Sequence, residues 1–201
     1  MNKPVLSLAV AATALLVAGA APAAATRTAV FAGGCFWSME KAFEHMPGVT
    51  AAVSGYAGGT RANPTYEIVE TGETGYAETL NILYDANVIS YTDLLKVLLT
   101  VRNPTTLNRQ GPDAGPQYRS IIFYHNPAQH KAAQDAIAQF TQDKVWPDQI
   151  VTEVQPFKKF YNAEAYHINY YNLHPNQGYC ANVIAPEIKE FREKFASMLK
   201  D

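Results

Sequence analysis

The chain has 201 residues, 48% apolar and 17% charged, a composition that excludes a disordered chain, a coiled coil and a collagen-like repeat. Its 16 Lys and Arg against 18 Asp and Glu give a net charge of −2, so we expect no nucleic-acid partner. Its two cysteines are too few for a disulfide scaffold and cannot alone make a four-ligand zinc site, so no metal is expected.

Residues 1–25 have the three-part pattern of a secretory signal peptide. Lys3 precedes an apolar stretch at 5–20, Pro22 breaks that stretch, and alanines at 23–25 offer the small side chains that a signal peptidase needs. We expect cleavage after Ala25, which leaves residues 26–201 as the domain of an exported protein, periplasmic or extracellular, without membrane association. The alternative is an uncleaved anchor, for which the apolar stretch is short against a ~20-residue span.

The rest of the chain alternates predicted strands and helices. In chain order these are a strand at 28–32, a helix at 35–46, a strand at 49–55, a turn-rich stretch at 58–75, a strand at 78–85, a helix at 94–101, a loop at 103–117, a strand at 118–124, a helix at 127–146, a strand at 150–157, and helices at 163–173 and 187–199. This alternation indicates one mixed α/β domain in which helices cover a sheet, with the strand order left open.

Cys35 lies where the first predicted strand gives way to the first predicted helix. The first N–H groups of a helix have no internal partner, and the helix dipole is positive there. This position predicts a stabilised thiolate with a pKa below the free value of ~8.5. Gly33 and Gly34 allow a sharp turn that leaves the sulfur uncovered. The alternative is a buried structural cysteine, the usual state of a free thiol.

Several short motifs occur in a fixed order along the chain. They are GCFW at 34–37, GYAGG at 55–59, NPTY at 63–66, TGYAE at 74–78, NRQG at 108–111, QYRS at 117–120 and GYC at 178–180. In this set and order the chain resembles the peptide methionine sulfoxide reductase A family, from Thr28 to about Phe195. The resemblance implies an α/β (α+β) fold with a mixed sheet in a two-layer ferredoxin-like sandwich, long irregular loops and a coil-rich C-terminus.

The resemblance also assigns roles to single residues. Cys35 matches the nucleophile of the family, Glu78 its acid and Cys180 its resolving cysteine. The residues that match its substrate-binding groups are Phe36 and Trp37 as aromatic walls for the substrate methyl group, Tyr66 and Tyr118 as hydroxyls that bind the sulfoxide oxygen, and Asp113 as a loop carboxylate.

The activity that the resemblance implies is that of a peptide-methionine (S)-S-oxide reductase. The Cys35 thiolate attacks the sulfoxide sulfur, a sulfenic acid forms, and Cys180 condenses with it to a disulfide. No cofactor is expected, because an external thioredoxin-like dithiol or DTT reduces that disulfide. The expected substrates are oxidised proteins or peptides and free methionine sulfoxide, and we expect a monomer.

Glu78 has a physical reason to act as an acid. On the predicted strand it shares a face with Leu80, Ile82 and Tyr84. A carboxyl that faces an apolar layer loses hydration, which raises its pKa and keeps it protonated at neutral pH. The alternative is a solvent-exposed glutamate at a strand end.

The two cysteines allow a second interpretation. Cysteines of an exported chain commonly pair, so Cys35 and Cys180 could form a permanent disulfide. Gly178 favours a catalytic pair, since a glycine near Cys180 predicts a mobile tail that swings toward Cys35. No cysteine follows Cys180, so the disulfide offered to the reductant is expected to be Cys35–Cys180 itself.

The chain departs from the family at Ser38, Tyr76, Asn103 and Pro116, where glycine, histidine, aspartate and threonine are usual, and none of these changes removes a catalytic group. Two other function classes stay open on the residues alone. One is a cysteine hydrolase that pairs Cys35 with His167 or His174, and the other is an exported binding domain with a structural disulfide.

Overall fold

The computed structural model describes residues 25–199. The strands are β1 Thr26–Ala32, β2 Val49–Ala57, β3 Ala77–Asp85, β4 Arg109–Gln110, β5 Asp113–Ala114, β6 Ile121–Tyr124, β7 Glu153–Pro156 and β8 Phe160–Asn162. The α-helices are α1 Phe36–Glu44, α2 Tyr66–Val69, α3 Tyr91–Val101, α4 Pro127–Gln142, α5 Tyr170–Leu173 and α6 Ala185–Phe195. Apart from Ala25, the predicted signal peptide lies outside the described residues.

Six strands form one mixed sheet in the order β7-β6-β1-β3-β2-β8. Neighbouring strands are antiparallel except β6 and β7, which are parallel. The short β4 and β5 pair separately as a hairpin. The mixed sheet that the sequence analysis expected is therefore confirmed.

Alternate residues of β1 enter two different layers, as the period-two geometry of a strand requires. Ala29 and Phe31 belong to the main core, which also takes the buried faces of α1, α3, α4 and α6. Val30 and Ala32 point to the opposite face, where Phe157 covers them. Within residues 25–199 no helix combines the length and the apolar character needed to cross a bilayer.

The structure differs from the sequence prediction at several places. The helix expected at 163–173 is interrupted because Asn169 adopts a left-handed conformation, with φ of 57°. The strand expected from Tyr118 begins at Ile121, since Tyr118 ends a 3-10 turn at Pro116–Tyr118. The chain around Cys180 is helical, with Gly178 and Tyr179 in α-conformation followed by a π-helical turn at Cys180–Ile184 that leads into α6. The mobility of this segment that Gly178 suggested stays a prediction, because the structure gives only its helical conformation.

Candidate active site

Cys35 occupies the N-cap position of α1, directly after the turn that follows β1. Gly34 makes that turn with φ of +81°, and its N–H donates to the carbonyl oxygen of Tyr118 at 3.1 Å. A Cβ at Gly34 would lie 2.4 Å from Cγ of Gln110, so only glycine fits this close approach. The turn thereby places Cys35 beside the loop that carries Tyr118.

Cys35 lies on the wall of a cavity of about 230 Å³. The cavity is lined by Cys35, Phe36, Trp37, Tyr66, Glu78, Asp113, Tyr118 and Tyr179. The structure thus brings together seven of the eight site residues predicted from the sequence. Cys180 is the exception, because it does not line the cavity. Tyr179 does line it, although it was not among the predicted site residues.

Glu78 is 2% exposed and lies on β3 opposite Tyr56 of β2. The backbone N–H of Phe36 donates to Glu78 Oε2 at 2.8 Å, which fixes the carboxyl at the start of α1. Burial raises the pKa of Glu78 well above its ordinary value, and the nearby Glu70 and Asp113 add to that rise. Burial therefore favours the protonated form of this carboxyl, as the position of Glu78 on the apolar face of its strand predicted.

The predicted low pKa of Cys35 was wrong. Burial raises the pKa of the Cys35 thiol well above its ordinary value, and the neighbouring Glu78 and Asp113 carboxyls raise it further. The N–H groups of Trp37 and Ser38 lower it, as the helix-start argument requires, but burial is the larger effect. In the unliganded site Cys35 is accordingly a thiol beside a protonated carboxyl.

The two aromatic residues after Cys35 take different positions. Phe36 is completely buried, against Tyr56 and His167. Trp37 is half-buried, and its indole N–H donates to His167 Nδ1 at 3.0 Å. The Trp37 ring stacks on Tyr170 with centroids 3.8 Å apart. Phe36 therefore forms an inner wall of the cavity and Trp37 a rigid outer wall.

Tyr66 and Tyr118 supply hydroxyl donors. Tyr66 starts the short α2, where its backbone N–H donates to Glu164 Oε1 at 2.8 Å. The Tyr118 hydroxyl donates to Glu70 Oε2 at 2.9 Å. Burial raises the pKa of both phenols, so both keep their protons across the neutral range. Each is a neutral hydroxyl on the cavity wall, and the Tyr118 hydroxyl donates to Glu70 rather than into the cavity in this structure.

Asp113 and Tyr179 close the side of the cavity next to Cys180. Asp113 lies in β5, and its Oδ2 accepts a hydrogen bond from the Tyr179 hydroxyl at 2.5 Å. Burial raises the pKa of both groups. The Tyr179 hydroxyl also contacts the Cys35 thiol. Because Tyr179 directly precedes Cys180, it links the thiol of Cys35 to the helix that carries the second cysteine.

Cys180 is completely buried and belongs to the main hydrophobic core. Both cysteines are free thiols. Its backbone N–H donates to Gln177 Oε1 at 3.0 Å, and burial raises the pKa of its thiol. In this structure the two thiols are not bonded to each other, and Cys180 does not line the cavity that holds Cys35.

Sequence reasoning also missed Glu70 and Glu164, and it named His167 only as a partner of Cys35 in a hydrolase and not as a partner of Trp37. Glu70 follows Tyr66 by four residues, a helical spacing that places both side chains on one face of α2, so this signal was available. No such signal linked His167 to Trp37 or Glu164 to Tyr66, because the partners lie 130 and 98 positions apart in the chain.

One small cavity therefore holds a thiol, a protonated carboxyl, two neutral hydroxyl donors and aromatic walls. This set suits a thiol-dependent oxidoreductase that attacks an electrophilic atom while its oxygen takes a proton. Neither a general base beside the thiol nor a hydrolytic triad is needed for that chemistry.

Comparisons with known proteins agree with that class. The model of the family described as peptide methionine sulfoxide reductase matches residues 27–199. The peptide methionine sulfoxide reductase of Polynucleobacter asymbioticus is 47% identical over 171 residues, which cover 85% of this chain and 90% of that protein. The chain belongs to the peptide methionine sulfoxide reductase family, and its activity is the thiol-dependent reduction of methionine sulfoxide.

Solved structures give the same assignment for the fold. Methionine sulfoxide reductase A of Corynebacterium diphtheriae superposes with a TM-score of 0.73 at 32% identity, over 78% of each chain. Reduced Mxr1 from Saccharomyces cerevisiae superposes with a TM-score of 0.71 at 32% identity, over 80% of this chain and 91% of that one.

Proposed function

We propose that this chain reduces the S epimer of methionine sulfoxide with Cys35 as nucleophile and Glu78 as acid. The observation that carries the assignment is that Cys35, Glu78 and the Tyr118 hydroxyl line one cavity. The sulfur of Cys35 bonds to the sulfoxide sulfur as Glu78 protonates the sulfoxide oxygen. The oxygen is then transferred to Cys35, so one thiol and one sulfoxide yield one sulfenic acid and one thioether.

Cys180 resolves the sulfenic acid in this proposal. Its thiol displaces the hydroxyl of Cys35, which releases water and forms the Cys35–Cys180 disulfide. An external thioredoxin-like dithiol then reduces the disulfide by thiol exchange and is itself oxidised. Mxr1, the yeast relative, has been solved in complex with Trx2, which supports a reductant of this kind. Proteins, peptides and free methionine sulfoxide are the proposed substrates.

The site of action proposed for the chain is outside the cytoplasm, where it repairs exported proteins as a monomer. The support is the signal-peptide pattern at 1–25. Amino-terminal sequencing of the protein recovered from its host should begin at Thr26, and a mature protein that keeps its first 25 residues would contradict this proposal.

The activity is tested with a peptide that carries each methionine sulfoxide epimer separately, in the presence of DTT. We expect turnover of the S epimer alone, loss of turnover in Cys35→Ser, and normal turnover in the control Ser90→Ala, whose hydroxyl caps α3. Equal turnover of both epimers, or full activity of Cys35→Ser, would contradict the assignment.

A further inference from the structure

Glu70 is a half-buried acidic residue that reaches the site through Tyr118 without lining its cavity. It follows α2, where its backbone N–H donates to the carbonyl oxygen of Tyr66 at 2.9 Å. Its own carbonyl oxygen accepts from Gln117 Nε2 at 3.3 Å. These two bonds hold the Glu70 backbone between α2 and the 3-10 turn, so its side chain has a fixed direction.

The Glu70 side chain joins two groups of the proposed mechanism. Its Oε2 accepts the hydrogen bond from Tyr118 at 2.9 Å, and its carboxyl lies close enough to that of Glu78 for each to affect the pKa of the other. Its Oε1 is buried, and no hydroxyl, amide or cationic donor among residues 25–199 reaches it. Two ionised carboxylates in this position would leave Oε1 without a donor and would repel each other, whereas a single proton between them removes both penalties.

We propose that Glu70 is the positioning residue for the acid Glu78, and that the two carboxyls share one proton. Glu70 orients this proton and keeps it on Glu78 until substrate arrives. As Glu78 gives its proton to the sulfoxide oxygen, the proton lost by the Cys35 thiol passes to the carboxyl pair. The pair thus carries one proton before and after the step, and thiol plus sulfoxide yield sulfenic acid plus thioether with no net proton change.

Five other titratable groups, each on a different element, surround the pair. The titratable groups that face Glu70 or Glu78 are Cys35 from α1, Tyr56 from β2, Tyr66 from α2, Asp113 from β5 and Tyr118 from the 3-10 turn. The three tyrosines have pKa values raised by burial and stay neutral. Glu70 and Asp113 both raise the pKa of Glu78, and Glu70 has the larger effect of the two.

The test is the pH dependence of kcat and KM for the S epimer in Glu70→Gln. Glutamine keeps an oxygen that accepts from Tyr118, but it removes the charge and donates an N–H to Glu78, so Glu78 loses its proton at lower pH. We expect the alkaline limb of the kcat profile to move to lower pH by about one unit, so that kcat at the alkaline end falls about tenfold. KM should change less than about twofold. The matched control is Glu73→Gln, an exposed carboxylate three residues on, which should reproduce the wild-type profile.

A kcat lowered equally at every pH, or an unshifted alkaline limb, would overturn the inference and leave Glu70 as a structural residue. If Glu70→Gln does not fold, Glu70→Ser carries the same expected shift, because it also removes the charge. This inference rests on the acid role proposed for Glu78, which Glu78→Gln tests separately. If Glu78→Gln keeps full activity, the acid role of Glu78 is refuted. If Glu78→Gln is inactive but the pH profile of Glu70→Gln is unshifted, only the shared proton is refuted.

Discussion

At Cys35 two physical effects oppose each other. The helix start directs the N–H groups of Trp37 and Ser38 at the sulfur, which favours the thiolate. Burial, with 7% of the residue exposed, favours the thiol and is the larger effect. The environment thus favours the protonated forms of both Cys35 and Glu78.

We predict that free Cys35 titrates above the ~8.5 of an exposed thiol. The measurement is the rate of iodoacetamide alkylation against pH in Cys180→Ser, which has Cys35 as its one cysteine. In the double variant with Glu78→Gln the midpoint should fall, because the carboxyl that raises the pKa of Cys35 is gone. A midpoint below 8.5 in Cys180→Ser would show that the helix start outweighs burial.

At the scale of elements, Glu187 joins α6, the helix that follows Cys180, to α1 and to Arg102. Glu187 in the first turn of α6 accepts from the Ser38 hydroxyl of α1 and pairs with Arg102 Nη1 at 2.8 Å. The Arg102 side chain is 3% exposed, and its Nε and Nη2 have no hydrogen-bond partner among residues 25–199. Glu187 is thus the main counterion of a buried cation, and it fastens the helix that follows Cys180.

Glu187→Ala should lower the free energy of unfolding by about 2 kcal/mol, because it leaves the buried Arg102 charge without its hydrogen-bonded partner. Chemical denaturation of the reduced protein measures this loss. The matched control is Glu190→Ala, whose exposed pair with Lys194 should be worth less than about 0.5 kcal/mol. Equal small losses in both variants would show that Arg102 is solvated when unpaired.

The sequence predicts the elements whose cause is local. Ser90 and Asp93 form the expected cap of α3, with the Asp93 N–H donating to Ser90 Oγ at 3.0 Å. Glu78 lies on the apolar face of its strand, and this position in the sequence correctly predicts that it is buried. The roles of Glu70 and Tyr179 escaped prediction because their hydrogen bonds join residues 48 and 66 positions apart in the chain. The resemblance located the other cavity residues, which composition and spacing alone could not have assembled.

In the whole molecule, the two cysteines of the proposed cycle lie in different environments. Cys35 faces the cavity, while Cys180 is completely buried in the core at the start of a π-helical turn. Such turns are less stable than α-helix and occur frequently at functional sites. We expect formation of the Cys35–Cys180 disulfide to move this turn, together with Tyr179, which contacts Cys35. The reduced fold is accordingly one of two states that the cycle needs.

The most direct test of the central claim is the product analysis of a single turnover without reductant. Reduced protein is mixed with excess S-epimer methionine sulfoxide, and the methionine formed and the state of each cysteine are measured by mass spectrometry. We predict one methionine per chain with a Cys35–Cys180 disulfide in the natural sequence, and one methionine with a sulfenic acid at Cys35 in Cys180→Ser. Methionine formed while Cys35 stays reduced, or no methionine from either protein, would contradict the account.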